Sequence, residues 1–160
     1  MVCAVRFDEI SSALVRAHKD AGERRAVHEI AYPIACSIPP EWLSHAQLSY
    51  IPATREATVR RGFDHGAALG KEVSLLLGLP CTQTLKPART QDQRKLSRKE
   101  RFVNLAQAFE VLPKTCADPP QRVILVDDVV TTTATLSAAA AALKSAGVSQ
   151  VFCAGFARVY

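Results

Sequence analysis

Val123–Thr135, VILVDDVVTTTAT, is the stretch on which the reading of this chain turns. Four apolar residues, Val123 to Val126, predict a strand buried on both faces, because a strand with one wet face would alternate. Asp127 and Asp128 follow where such a strand leaves its sheet. Val129 and Val130 lead into Thr131, Thr132, Thr133, Ala134 and Thr135, which open a long alanine-rich helix. Carboxylates accept hydrogen bonds from sugar hydroxyls. The turn and helix start offer backbone N–H groups and a positive dipole end to a phosphate. The run therefore reads as a phosphosugar site. Asp and Thr serving only as helix caps would need one such residue rather than a run in fixed register.

Downstream, Thr135–Ser145 is expected to be helical, its alanines favouring that conformation and a close approach to the sheet. Gly147 stops it, and Val151–Ala157 returns as a last strand. Strand, helix and strand of this length imply a right-handed parallel crossover, with the ligand crevice at the carboxyl ends of the strands. Upstream, Leu48–Pro52 predicts a first parallel core strand. A loop over residues 53–62 follows, then a helix, Phe63–Leu77, with Ala67, Leu69, Val73, Leu76 and Leu77 as buried positions; Gly78 and Pro80 end it. Backbone N–H groups near Ala53 and Thr54, with Arg55 and Arg61, suit a diphosphate, which a guanidinium fork can grip bidentately. Cys81–Leu85 reads as a second core strand. Lys86–Arg101 holds seven basic residues against Asp92 and Glu100. It has too little apolar content for a core and reads as a mobile loop with a short helix near Ser97–Phe102. Asn104–Val111 predicts a β-ribbon, and the proline-bearing Leu112–Gln121 a surface connection.

At the amino end, Val2–Phe7 predicts a short strand. Asp8 or Ser11 then caps a helix with Ile10, Leu14 and Val15 at helical spacing. Lys19–Glu23 reads as a connection before a second helix, Arg25–Ser37, which holds Pro33. At 160 residues the chain is long enough for one domain with a proper core. Residues 1–47 form a mostly helical amino-terminal part and 48–160 the core. The composition, 48% hydrophobic, excludes wholesale disorder. No apolar stretch reaches membrane-spanning length, and no basic start precedes an apolar run, so neither a span nor a secretory signal is expected. Five scattered cysteines without C-x-x-C spacing read as reduced thiols of a cytoplasmic chain. His18, His28 and His45 stand singly, which does not make a zinc site. The net charge of +5 permits a polyanionic partner without naming it.

The central run resembles the phosphoribosyl diphosphate (PRPP) loop of type I phosphoribosyltransferases: an apolar strand, two acids, two variable residues, then Thr-Thr-Gly-x-Thr. Asp127, Asp128, Thr131, Thr132 and Thr135 match in register. Arg61-Gly62-Phe63, Lys86, Gln93, Leu96, Arg101, Asn104 and Ala108-Phe109, followed by that loop, recur in this order in the ComF-type, competence-associated family. The likeness covers Leu48 to the carboxyl end, with a weaker one from Leu14 to Glu23. It implies an α/β fold of the type I phosphoribosyltransferase kind, with a central mostly parallel sheet flanked by helices and a flexible loop over the site. It implies that residues 127–135 bind PRPP, with Val129, Val130 and Ala134 in the loop. Ala53, Thr54, Arg55 and Arg61 hold the diphosphate, and Mg²⁺ rides on the ligand with Asp127 and Asp128 nearby. Catalytic roles fall to Asp127, Asp128, Arg61 and Lys86, and Arg89 and Arg94 close over the site. The resemblance leaves open whether the chain transfers a phosphoribosyl group or is a non-catalytic module with single-stranded DNA or DNA-uptake proteins as partners, and whether it forms a homodimer. Two departures matter. The family's four-cysteine zinc module is missing, so zinc is not carried over. Thr133 stands where the family has Gly; if that position needs positive φ, the β-branched residue is strained by about 1–3 kcal/mol.

Overall fold

In the computed structural model, which describes residues 1–21, 24–88 and 108–160, Val123–Val126 lies within a central strand. All four of its residues are buried. The chain runs β1 (Val2–Arg6), α1 (Glu9–Arg16), a π-helical turn (Ala17–Ala21), α2 (Arg24–Ser37), a 3-10 turn (Pro40–Trp42) and β2 (Ala46–Tyr50). It continues through α3 (Arg55–Arg61), α4 (His65–Leu77), β3 (Leu85–Pro87), β4 (Phe109–Val111), α5 (Pro113–Ala117), β5 (Arg122–Val130), α6 (Ala134–Ser145) and β6 (Gln150–Arg158). The main sheet has the order β1-β6-β5-β2, and its neighbours pair in parallel.

Strand alternation divides the core in two. Ile124 and Val126 point to the face covered by α1, α2 and α4, where Val15, Ile30, Ile34, Leu69 and Val73 are buried with them. Val123 and Leu125 point to the face covered by α6, against Leu136, Ala139 and Leu143. A parallel sheet needs this double cover, because both of its faces are apolar. The protein is thus an α/β fold with a parallel central sheet flanked by helices.

Several expectations shift in detail. β5 does not end at Val126 but runs on to Val130, because β6 keeps pairing with it as far as Val130 and Arg158. The short strand expected at Val2–Phe7 is β1, and it joins the core sheet at one edge beside β6. Cys81–Leu85 is not a core strand. Cys81 makes one parallel bridge to Leu48. The chain then leaves the sheet edge so that Leu85 can bury itself in the α6-side core, and β3 pairs antiparallel with β4 instead. The ribbon expected over Asn104–Val111 is present in Phe109–Val111, its earlier part lying outside the described residues. So do Arg89, Arg94, Gln93, Leu96 and the helix expected at Ser97–Phe102.

Residues 53–62 are not a loop throughout. Thr54 accepts a hydrogen bond from the Ala57 N–H and starts α3, and Gly62 ends it at φ +79°. Asp8, not Ser11, is the N-cap of α1, and the two residues form a reciprocal capping box. Ile10 and Leu76, expected inside, are exposed; α4 instead turns Gly66, Leu69, Gly70, Val73 and Ser74 inward. Among the described residues no helix is long and apolar enough to cross a membrane.

Candidate functional site

The strand order creates one crevice. After β5 the chain passes through α6, on one face of the sheet, to reach β6. After β2 it passes through α3 and α4, and α4 packs on the other face. β2 and β5 are neighbours, with Tyr50 level with Val126. Their connections therefore diverge, and the gap outside their carboxyl ends is the switch point where open α/β sheets bind ligands. Residues 127–135 include the end of β5 and residues 53–61 follow the end of β2, so the two segments singled out in the sequence leave the same end of the sheet from neighbouring strands.

Pairing leaves the acids without a strand neighbour on one side. The last hydrogen bond from the β2 side runs from the Ile51 N–H to the Val126 carbonyl, whereas β6 continues past it. Asp127 and Asp128 thus have a sheet neighbour on one edge and the crevice on the other. As consecutive strand residues they face opposite sides. Asp128 follows Ile124 and Val126 toward α1 and α4. It is 4% exposed, and its Oδ1 accepts a 2.8 Å bond from Lys19 Nζ. His65 Nε2 lies 3.8 Å from Oδ2, and that oxygen, buried, accepts no hydrogen bond from the described residues. Asp127 takes the Asp128 backbone N–H on Oδ1 at 2.9 Å. Burial first, and then the charge of Asp128, pushes its carboxyl up to about 7.

A small network backs Asp128. His18 is buried, and its Nε2–H donates to the His65 carbonyl at 3.1 Å; only a donor can face a carbonyl, which assigns that tautomer. Arg61 makes a long 3.5 Å contact to His65 Nδ1. A guanidinium only donates, so the remaining proton of a neutral His65 ring is on Nε2, toward Asp128. Burial holds both imidazoles below their ordinary pKa, with Asp128 pulling the other way. At neutral pH the cation on Asp128 is therefore Lys19, with His65 a neutral neighbour.

The threonine turn after β5 departs from expectation in detail. Thr131, Thr132 and Thr133 are exposed, and α6 begins with no side-chain cap. The first-turn N–H groups of a twelve-residue helix thus meet the crevice without a protein acceptor from a cap. Thr133 has φ −71° and ψ −4°. The strain expected from a β-branched residue at positive φ is absent, because the helix starts here in an ordinary right-handed conformation. Thr133→Gly consequently relieves nothing and adds freedom to the unfolded chain. It should cost about 0.5–1 kcal/mol of stability in a chemical melt while leaving anion affinity within about two-fold; a clear gain in affinity would restore the strain argument.

Before α3 the Ala53 N–H is not free. It donates to Asp64 Oδ1 at 3.2 Å, the same oxygen that takes the Ala67 N–H and caps α4. Arg55 is exposed on the first turn of α3, and Arg61 is half-buried at its end beside His65. Lys86 sits on the β3–β4 ribbon, paired with Glu110 across it at 2.8 Å. Lys19, His18 and His65 were missed by sequence reasoning. Lys19 and Asp128 are 109 positions apart, and nothing local in the connection around Lys19 marks it as a partner of the acidic strand.

No family model matches the chain, and no curated protein matches it either.

Proposed function

We propose that this protein binds PRPP, or a closely related phosphorylated ribose, and transfers or hydrolyses its phosphoribosyl group with loss of diphosphate, as the ComF-type resemblance implies. The observation that supports this reading best is that the acid pair, the uncapped start of α6 and the arginine-bearing α3 all belong to the carboxyl-end side of the neighbouring strands β2 and β5. In this reading the N–H groups of Thr131–Thr135 hold the 5-phosphate. Asp127 and, through its unpaired Oδ2, Asp128 accept hydrogen bonds from the ribose hydroxyls. Arg61 and Arg55 face the diphosphate. The bond between ribose C1 and the diphosphate oxygen breaks, its electron pair leaves with the diphosphate, and positive charge is left on the sugar. The protein contributes positioning and neutralisation of the leaving group.

Among the described residues no three His, Cys, Asp or Glu side chains come together as a cage for a metal. Mg²⁺ needs none here, since it keeps waters and binds through ligand oxygens. Asp127 fits as its protein neighbour better than Asp128, whose Oδ1 already carries Lys19. When bound, Mg²⁺ supplies further positive charge to the departing diphosphate. The nucleic-acid reading gains no support from the ribbon, where the Lys86 charge is paired with Glu110.

The test is thermal unfolding with PRPP and Mg²⁺. A ligand bound only by the folded state stabilises it by about 2.7 kcal/mol at a hundred times its Kd, so the wild-type midpoint should rise by several degrees. Asp127→Asn and Asp128→Asn should lose most of that rise. No rise at millimolar PRPP overturns the proposal, and a salt-sensitive rise with single-stranded DNA alone would favour the binding module.

A further inference from the structure

We infer that Lys19, supplied by the π-helical turn after α1, is a positioning residue of the crevice: its ammonium holds one Asp128 oxygen and leaves the other, buried and unpaired, as the acceptor for a ribose hydroxyl. The inference rests on the phosphosugar reading and extends the site to a segment that the PRPP-loop pattern does not contain. Lys19 is a quarter exposed, while Asp128 is nearly sealed, and their contact is the short one, 2.8 Å. The second Asp128 oxygen is buried without a hydrogen-bond donor among the described residues, because His65 Nε2 stops at 3.8 Å. A buried acceptor left without a donor is costly. It is therefore built to be completed by a donor from the crevice. A hydroxyl meets that need; a phosphate oxygen, which only accepts, does not.

Lys19 cannot do the same work from elsewhere on the chain. The π-helical turn continues α1 directly, and the capping box at Asp8 and the buried Val15 fix α1 against α2 and the sheet. The ammonium thus reaches the strand from a braced element. With Lys19 removed, the carboxylate is free to swing Oδ2 toward His65, and the acceptor offered to the ligand is lost.

The experiment measures binding of ribose 5-phosphate and of inorganic phosphate by calorimetry, in wild type, Lys19→Met, Lys19→Arg, Asp128→Asn and the Lys19→Met/Asp128→Asn double variant. Ribose 5-phosphate affinity should fall by about 10- to 100-fold in Lys19→Met, the range for one lost hydrogen bond to a charged group. Inorganic phosphate, which reads only the α6 start, should keep its affinity. Lys19→Arg retains a cation on Oδ1 and should stay within about five-fold of wild type. The double variant should bind no more weakly than Asp128→Asn alone, since Lys19 acts through Asp128. Wild-type affinity in Lys19→Met, additive losses in the double variant, or equal losses for phosphate would each overturn the inference and leave the phosphosugar reading standing. Failure of the wild type to bind ribose 5-phosphate or PRPP at all removes both. Should Lys19→Met not fold, the arginine variant decides: a loss as large as that of Asp128→Asn overturns the inference.

Discussion

Gly66→Ala is expected to lower the unfolding midpoint by about 6–12 °C, the consequence of about 3 kcal/mol in a domain of this size. In an exposed helix the same change would stabilise by about 1 kcal/mol. Here a methyl group at residue 66 would overlap the carbonyl oxygen of Ile51, and one at Gly70, a turn later, would lie 2.8 Å from the Tyr50 ring. The tyrosine can shift, but a backbone carbonyl at the end of β2 cannot. Either α4 moves off the sheet or Ile51–Ala53 moves with it, and Asp64 then loses its paired bonds to the Ala53 and Ala67 N–H groups. The crevice wall is disturbed with the core, so ligand-induced stabilisation should shrink as well. Gly70→Ala should cost less than half as much. A Gly66→Ala protein melting with the wild type would show that α4 does not approach β2 this closely.

Asp127→Asn should make the ligand-free protein more stable at pH 8 while weakening phosphosugar binding. Burial and the Asp128 charge push the Asp127 carboxyl up to about 7 in the folded chain, against an ordinary value of about 3.9 when unfolded. A raised folded pKa means that the folded state prefers the proton. The contribution to stability is whole below about pH 4 and is lost as the pH rises to 7. Asparagine is neutral throughout and keeps an oxygen for the Asp128 N–H. Its advantage over wild type should be near zero at pH 4, grow through pH 7 and level off above, at on the order of 2–4 kcal/mol.

His18 and His65 have the opposite sign. Their lowered pKa values give stability that is present above about pH 6.5 and lost on acidification. In wild type the two trends oppose each other; in Asp127→Asn the histidine trend should stand alone, as a midpoint falling steadily below pH 6.5. Denaturant melts from pH 4 to 8 check both. An advantage that is constant with pH would show that the carboxylate is not desolvated by the fold.

The local signals were strong where one segment carried its own physics. The unbroken apolar run of Val123–Val126 could be satisfied only by a strand covered on both faces, and the alanines before Ser145 only by a helix laid close on it. Gly78 marked the end of α4, whereas α3 was hidden in what read as a loop, and the acid pair and threonine turn stood out because their spacing is short-range. What needed tertiary structure was everything settled by partners far along the chain. β5 runs beyond Val126 because β6 accompanies it, which turns the two acids to opposite faces of the sheet rather than side by side. Thr133 is relaxed because α6 starts in an ordinary conformation, a fact of backbone geometry that no residue type announces. Asp128 lies buried against Lys19 and His65, residues that look like solvated connection and isolated histidine until α1 and α4 cover the same face of the sheet. Residue types near one another in sequence determined which elements form and which end of the sheet carries the acid pair and the threonine turn; only packing decided which charges meet there, because an ion pair across more than a hundred residues has no local signature.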